Sequence, residues 1–217
     1  MQSFITVFVA DDHQIFRQGL IKLLESEASI AVVGESSDGA EALQMIQELQ
    51  PDVVILDISM PNKNGLEIVK QIKTDYLPTN CIILTMYDEE EYFNEALDCG
   101  VKGYLLKENA ISDLLKCVKC VVQGRYFVSS LISEFLLHRD DRIKQLRFDN
   151  PGMDKLTTME KRILRLIAEN KTSKEIAEQL FISPRTVENH RQHVCHKLGL
   201  KGFHKLLQFA IENKSYL

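Results

Sequence analysis

At 217 residues the chain has room for one large domain or two small ones, and its 45% apolar content is enough for an ordinary packed core. No apolar run approaches the ~18 residues that cross a bilayer, Asp11 and Asp12 break the N-terminal apolar stretch early, and the five cysteines form no disulfide framework. A membrane protein, a secreted precursor and a disulfide scaffold are therefore not expected, and a reducing cytoplasm is. The net charge of −5 is unevenly spread: residues 1–125 hold 20 acids and 10 bases, whereas residues 155–217 hold 12 bases and 6 acids. An acidic front and a basic back imply two domains with different partners, the back one suited to nucleic acid.

Residues 1–125 alternate strand and helix. Strands are predicted at about 4–10, 30–35, 52–57, 80–85 and 103–106, and helices at about 14–26, 39–49, 65–75, 89–99 and 112–124. The second helix begins after Ser37-Asp38-Gly39, Ser112 is the expected N-cap of the fifth, and Gly100 follows the fourth as a C-terminal glycine. Five such units predict a parallel sheet with helices on both faces. Cys117 and Cys120, inside the fifth helix, read as small residues filling a helix face. Residues 126–154 read as a linker: 129–137 is predicted to form one helix, and 138–154 is mostly charged, closes on Asn150-Pro151-Gly152 and reads as partly flexible. Everything after it, 155–217, reads as helical. Thr157 with Glu160 and Thr172 with Glu175 are capping boxes opening helices to about 169 and 180, and Ser183-Pro184 opens a third to about 198. A fourth spans about 202–213, and the short turn Phe181-Ile182-Ser183 has helix-turn-helix spacing.

The chemistry lies at the strand ends. Apolar runs terminate in Asp11-Asp12, in Asp57, in Thr85 and in Lys107. The carboxyl edge of an open parallel sheet is where such folds place their sites. Three acids, a hydroxyl and a lysine on one edge suit a hard divalent cation and a phosphoryl group, with Asp57 as nucleophile. Carboxylate and phosphoryl group are both anionic, so a cation such as Mg²⁺ is needed, and one or two protein carboxylates suffice to hold it. Lys107 offers a point charge for a phosphoryl oxygen, and Thr85 a hydroxyl donor. His13 reads as a helix-start residue, since an attacking carboxylate needs no base.

These motifs carry a resemblance. Asp11-Asp12-His13, Asp57 to Pro61 with Gly65, Leu84-Thr85 and Gly103 to Lys107 resemble the receiver domain of two-component response regulators. Leu156-Thr157, Glu160, Leu166 to Ala168, Lys174 to Ala177, Leu180, Ile182-Ser183, Thr186-Val187, His190 and Lys197 to Gly199 resemble the LuxR-type helix-turn-helix. Together they resemble the NarL/FixJ class. The resemblance implies a flavodoxin-like, five-stranded doubly wound α/β receiver followed by an all-α four-helix domain. It implies a 4-aspartylphosphate at Asp57, with Mg²⁺ on Asp12 and Asp57 directly, on Asp11 through water and on the backbone carbonyl of Ser59. It also implies Lys107 and Thr85 as catalytic partners, and Thr85 with Tyr104 as the switch pair. The alternative reading of Tyr104 is an edge-strand aromatic packing on the fourth helix. Ser59 and Tyr87 flank the route of hydrolytic water in that family. The implied partners are a sensor histidine kinase, double-stranded promoter DNA and a second copy of the chain once phosphorylated, with no membrane. Two other readings compete. A phospho-aspartate phosphatase usually has a general-acid Asp where this chain has Ser59, and an interaction scaffold with a vestigial receiver would lack the acceptor, an acid or the lysine.

On the third helix of the back domain, Val187, Val194 and Leu198 share one face, and Arg185, Asn189, Gln192 and His196 the opposite one, flanked by Glu188 and His193. That polar face suits the major groove, where Asn can pair with adenine and Glu can accept from cytosine. Lys174, Lys197, Lys201 and the hydroxyl of Thr186 are better placed for phosphates. Many relatives carry Lys where this chain has Glu188, which can alternatively be a first-turn acid favoured by the helix dipole. His190 reads as buried or as a contact. The fourth helix carries apolar residues at 203, 206, 207, 210 and 211, a stripe for the core or for a dimer.

Overall fold

The computed structural model describes residues 4–217, the side chains of residues 131, 203 and 215 excepted. It divides into two compact units, residues 1–135 and 136–217.

In the first unit six parallel strands stand in the order β2-β1-β3-β4-β5-β6. They are β1 (Ile5–Ala10), β2 (Ile30–Ser36), β3 (Val53–Leu56), β4 (Asn80–Thr85), β5 (Gly103–Leu106) and β6 (Phe127–Val128). The helices between them are α1 (Gln14–Glu25), α2 (Gly39–Leu49), α3 (Gly65–Thr74), α4 (Glu90–Cys99) and α5 (Ala110–Val122). All four residues of β3 are buried, as expected of a strand covered on both faces. Alternate residues separate into two cores. Phe8, Val54, Leu56 and Ile83 pack with residues of α2, α3 and α4, and Val7, Val53, Ile55 and Leu84 with residues of α1 and α5. Chain order reverses between β1 and β3, so the ends of these two neighbours open onto one crevice.

Three expectations are corrected. The sheet has a sixth strand: Phe127 and Val128 pair with Gly103 and Tyr104, and Ile132 beyond them is buried in the same core, so the first unit continues past residue 125. Two residues are too short a stretch to show an alternation in sequence. The expected cap Ser112 lies inside α5, whose N-cap is Asn109; the Ser112 hydroxyl donates to the Asn109 carbonyl at 2.9 Å. The charged stretch 138–149 is helical, within α6 (Ser133–Asp149), inside which the division between the units falls. Its charges support the helix through neighbours three and four residues apart: Lys144 lies 3.3 Å from Asp141 and 3.9 Å from Asp140, and Gln145 donates to Asp149 at 3.0 Å.

The second unit adds α7 (Thr158–Ala168), α8 (Ser173–Leu180), α9 (Pro184–Leu198) and α10 (Phe203–Glu212) around one core that includes Ile163, Ile167, Ile176, Val187, Val194 and Leu206. Both predicted capping boxes are formed, on Thr157 with Glu160 and on Thr172 with Glu175, and Ser183 caps α9 ahead of Pro184. On α10, Leu206 and Ala210 are core residues, Leu207 packs against the core and Ile211 is exposed; the Phe203 side chain lies outside the described residues.

Candidate functional site

The crevice at the ends of β1 and β3 gathers the predicted acids. The backbone N–H of Asp57 donates to the Ala10 carbonyl at 2.9 Å, so the last bond of the ladder sets Asp57 beside Asp11. Gly65 makes the turn beyond β3 possible: a Cβ there would stand 2.2 Å from the Asp57 carbonyl oxygen. Asp11 and Asp57 are buried, and the buried ammonium of Lys107 lies 2.7 Å from Asp11 Oδ2 and 2.8 Å from Asp57 Oδ2. Lys107 also stands 5.0 Å above the Phe16 ring. Burial pushes the Asp57 carboxyl above its ordinary range; the Lys107 ammonium opposes the shift and Asp11 adds to it. For Lys107, burial works against the charge, but the bonds to Asp11 and Asp57 outweigh it and its pKa is raised.

The rim is more open. Asp12 is exposed, and its carboxylate lies 2.7 Å from His13 Nδ1. One ligand atom from each of Asp11, Asp12, His13 and Asp57 lies within 4.8 Å of the others. Carboxylate oxygens dominate this set, which fits a hard cation such as Mg²⁺. Ser59 Oγ and Tyr87 Oη are hydrogen-bonded at 2.9 Å, and the Tyr87 ring stacks on Tyr92 with centroids 4.7 Å apart. Thr85 is fully buried, its hydroxyl accepting from the Tyr87 backbone N–H at 3.1 Å. Tyr104 is buried edge-on against Phe93 of α4, 5.3 Å between centroids, and donates to the Tyr87 carbonyl at 3.2 Å. Tyr87 thus touches Ser59, with which the resemblance pairs it, and also Thr85 and Tyr104, a hub that the sequence discloses only in part.

On the second unit α8 and α9 form the helix-turn-helix. Phe181 closes α8 in the left-handed region, φ 54°, and its ring is exposed. Arg185, Glu188, Asn189, Gln192, His193 and His196 are exposed along α9, and Lys174 is exposed on α8. Val187 and Val194 are buried beneath them. Thr186 is half-buried, its hydroxyl 2.8 Å from that of Ser183. Lys197, expected at a DNA phosphate, lies instead 2.6 and 2.9 Å from the two carboxylate oxygens of Glu160, a residue that is itself buried. Burial raises the Glu160 pKa, but Lys197 and the bonds from Thr157 prevail and hold it below the ordinary range. Arg191 donates to Ser173 Oγ at 2.7 Å and to the Lys171 carbonyl at 3.1 Å, fastening α9 to the start of α8.

Family models match both units: the response regulator receiver domain over residues 7–119, and the bacterial regulatory proteins of the luxR family over residues 154–210. The chain belongs to the response regulators that join a receiver domain to a LuxR-type DNA-binding domain. It is a DNA-binding regulator by family, not a metabolic enzyme. Among similar proteins is the oxygen regulatory protein NreC of Staphylococcus haemolyticus, 38% identical over 215 residues, covering 96% of this chain and 97% of that protein. RcsB from Salmonella enterica serovar Typhimurium, solved bound to promoter DNA in the presence of a phosphomimetic, is 30% identical with TM-score 0.59, covering 94% of this chain and 97% of that one. The receiver domain of NarL from Mycobacterium tuberculosis is 36% identical with TM-score 0.55, covering 57% of this chain and 99% of that one. Among the described residues no helix is long and apolar enough to cross a membrane.

Proposed function

We propose that Asp57 accepts a phosphoryl group from the phosphohistidine of a sensor histidine kinase and that the modification controls DNA binding by α9. The observation that carries the reading is the buried Lys107 ammonium set between Asp11 and Asp57 at the end of β3. An Asp57 oxygen attacks phosphorus in line. The P–N bond breaks, its electron pair leaves with the imidazole nitrogen, and a new P–O bond forms. Lys107 takes one phosphoryl oxygen as a point charge. Asp11, Asp12 and Asp57, with the Ser59 carbonyl, would hold Mg²⁺, which when bound neutralises charge on the phosphoryl oxygens. Thr85 would leave the Tyr87 N–H to donate to the phosphoryl group. Tyr104 shares Tyr87 as a partner, so it would feel that exchange and alter the face of α4.

Arg185, Glu188, Asn189, Gln192, His193 and His196 would meet base edges in the major groove, and Lys174 and Thr186 the phosphates; Lys197 would reach a phosphate only on leaving Glu160. One recognition helix makes few base contacts, so a homodimer on paired half-sites about one helical turn apart is the reading for the phosphorylated form, in the cytoplasm. The test is incubation with an acyl phosphate and Mg²⁺. One added phosphoryl mass that raises affinity for promoter DNA is expected, and its persistence in Asp57→Ala would defeat the assignment.

A further inference from the structure

We propose that Glu160, His190 and His193 form a binding site on the second unit for a transition-metal dication of the zinc class. His190 and His193 are three residues apart on α9 and so lie on one side of it, and Glu160 enters from the first turn of α7. One ligand atom from each lies within 4.8 Å of the other two. His190 Nδ1 is buried and has no hydrogen-bond partner among the described residues. Buried ring nitrogens are ordinarily satisfied, so a ligating imidazole that keeps one unused is a ring whose hydrogen bonds do not hold it against a cation.

The donor set selects the ion. Two imidazoles and a carboxylate favour Zn²⁺, Ni²⁺ or Cu²⁺ over Mg²⁺ and Ca²⁺, which take oxygen. Bonds of roughly 2.0–2.2 Å set the spacing the donors must reach, and His193, which is exposed, has room to adjust its ring. Three protein ligands leave a coordination position for water.

Glu160 already has partners, and they divide unequally between its oxygens. Oε2 accepts from the Thr157 N–H at 2.7 Å and from Lys197 at 2.6 Å, and Oε1 accepts from Lys197 at 2.9 Å. The cation would take Oε1 and leave the capping bond in place. A dication repels the ammonium beside it, and Lys197 is exposed enough, at 28%, to turn outward. The metal therefore exchanges one cation for another at Glu160, releases Lys197 toward solvent and fixes the ring of His193. This connection to DNA rests on the reading of α9 as the groove helix; occupancy of the site does not.

Co²⁺ is the probe, titrated into the full chain under excess Mg²⁺ so that the acidic crevice of the first unit is already filled. One Co²⁺ per chain is expected, with visible d–d absorption. The exposed substitution His193→Gln should weaken binding at least about tenfold, because one of three ligands is lost. Lys197→Met should strengthen it several-fold, because the competing ammonium is gone, a gain that a purely structural role for Lys197 would not produce. Equal Co²⁺ affinity in the wild type and His193→Gln overturns the site, as does weaker binding in Lys197→Met. Promoter affinity measured with and without Zn²⁺ separates the two readings. Co²⁺ bound with no effect of Zn²⁺ on DNA leaves the metal site standing and counts against α9 as the groove helix.

Discussion

Lys107→Met isolates the electrostatics of the acidic crevice. Methionine keeps much of the stem against Phe16 and removes the charge shared by Asp11 and Asp57. The carboxylates are then left with ligand atoms within 4.8 Å of each other, and at an effective dielectric of about 20 two unit charges at that separation repel by ~3.5 kcal/mol. Breaking a buried pair by removing one partner typically costs ~3–5 kcal/mol, so a loss of about that size is expected for the first unit at neutral pH without Mg²⁺. Two signatures identify charge as the cause. The Asp57 pKa, already raised by burial, rises further without the ammonium, so the folded variant holds more protons than the unfolded chain. Its deficit should therefore shrink as pH falls from neutral toward the ordinary Asp value of 3.8. A dication bound by the folded state alone should restore ~2.7 kcal/mol at a hundred times its Kd. Urea unfolding followed by far-UV circular dichroism, fitted to a transition for each unit, reads both effects. A deficit that is the same at neutral and mildly acid pH, with and without Mg²⁺, would show that Lys107 acts through packing and not through its charge.

Glu160→Gln should destabilise the second unit by ~1–3 kcal/mol at neutral pH, as expected when a hydrogen bond to a buried charge is lost. Because the Glu160 pKa is lowered on folding, its contribution is present above the ordinary 4.5 and lost as pH falls through the lower folded value, so the variant's acid transition should be shallower than the wild type's by urea titration at several pH values. Gly65→Ala should cost the first unit ~1–3 kcal/mol by the same assay, since the new methyl meets the Asp57 carbonyl at 2.2 Å, and should slow phosphorylation by moving Asp57. Asn189→Ala should lose ~1–3 kcal/mol of DNA affinity and relax preference at one base pair, whereas Lys174→Ala should weaken all sequences alike and reduce the salt slope by about one, as read by gel shift across a salt series.

Most of this molecule was legible along the chain because its signals are local. The all-apolar run 53–56 dictates a buried parallel strand, Thr157 with Glu160 and Ser183 with Pro184 dictate helix starts, and acids at strand ends place the crevice, since parallel strands all present the same end to one edge of the sheet. What escaped depends on partners distant in sequence or on stretches too short to show a period. A two-residue strand such as 127–128 exists only through its pairing with Gly103 and Tyr104. Lys197 reads as a surface cation until the fold sets Glu160, 37 residues away, beneath it. The resemblance pairs Tyr87 with Ser59, yet only folding makes it the shared partner of Thr85 and Tyr104 as well. Residue type and period specify which elements form and which chemistry each strand end carries. The assignment of each long polar side chain to one partner among several is made by packing, because that choice depends on distances that exist only once the helices have closed on the sheet and on one another.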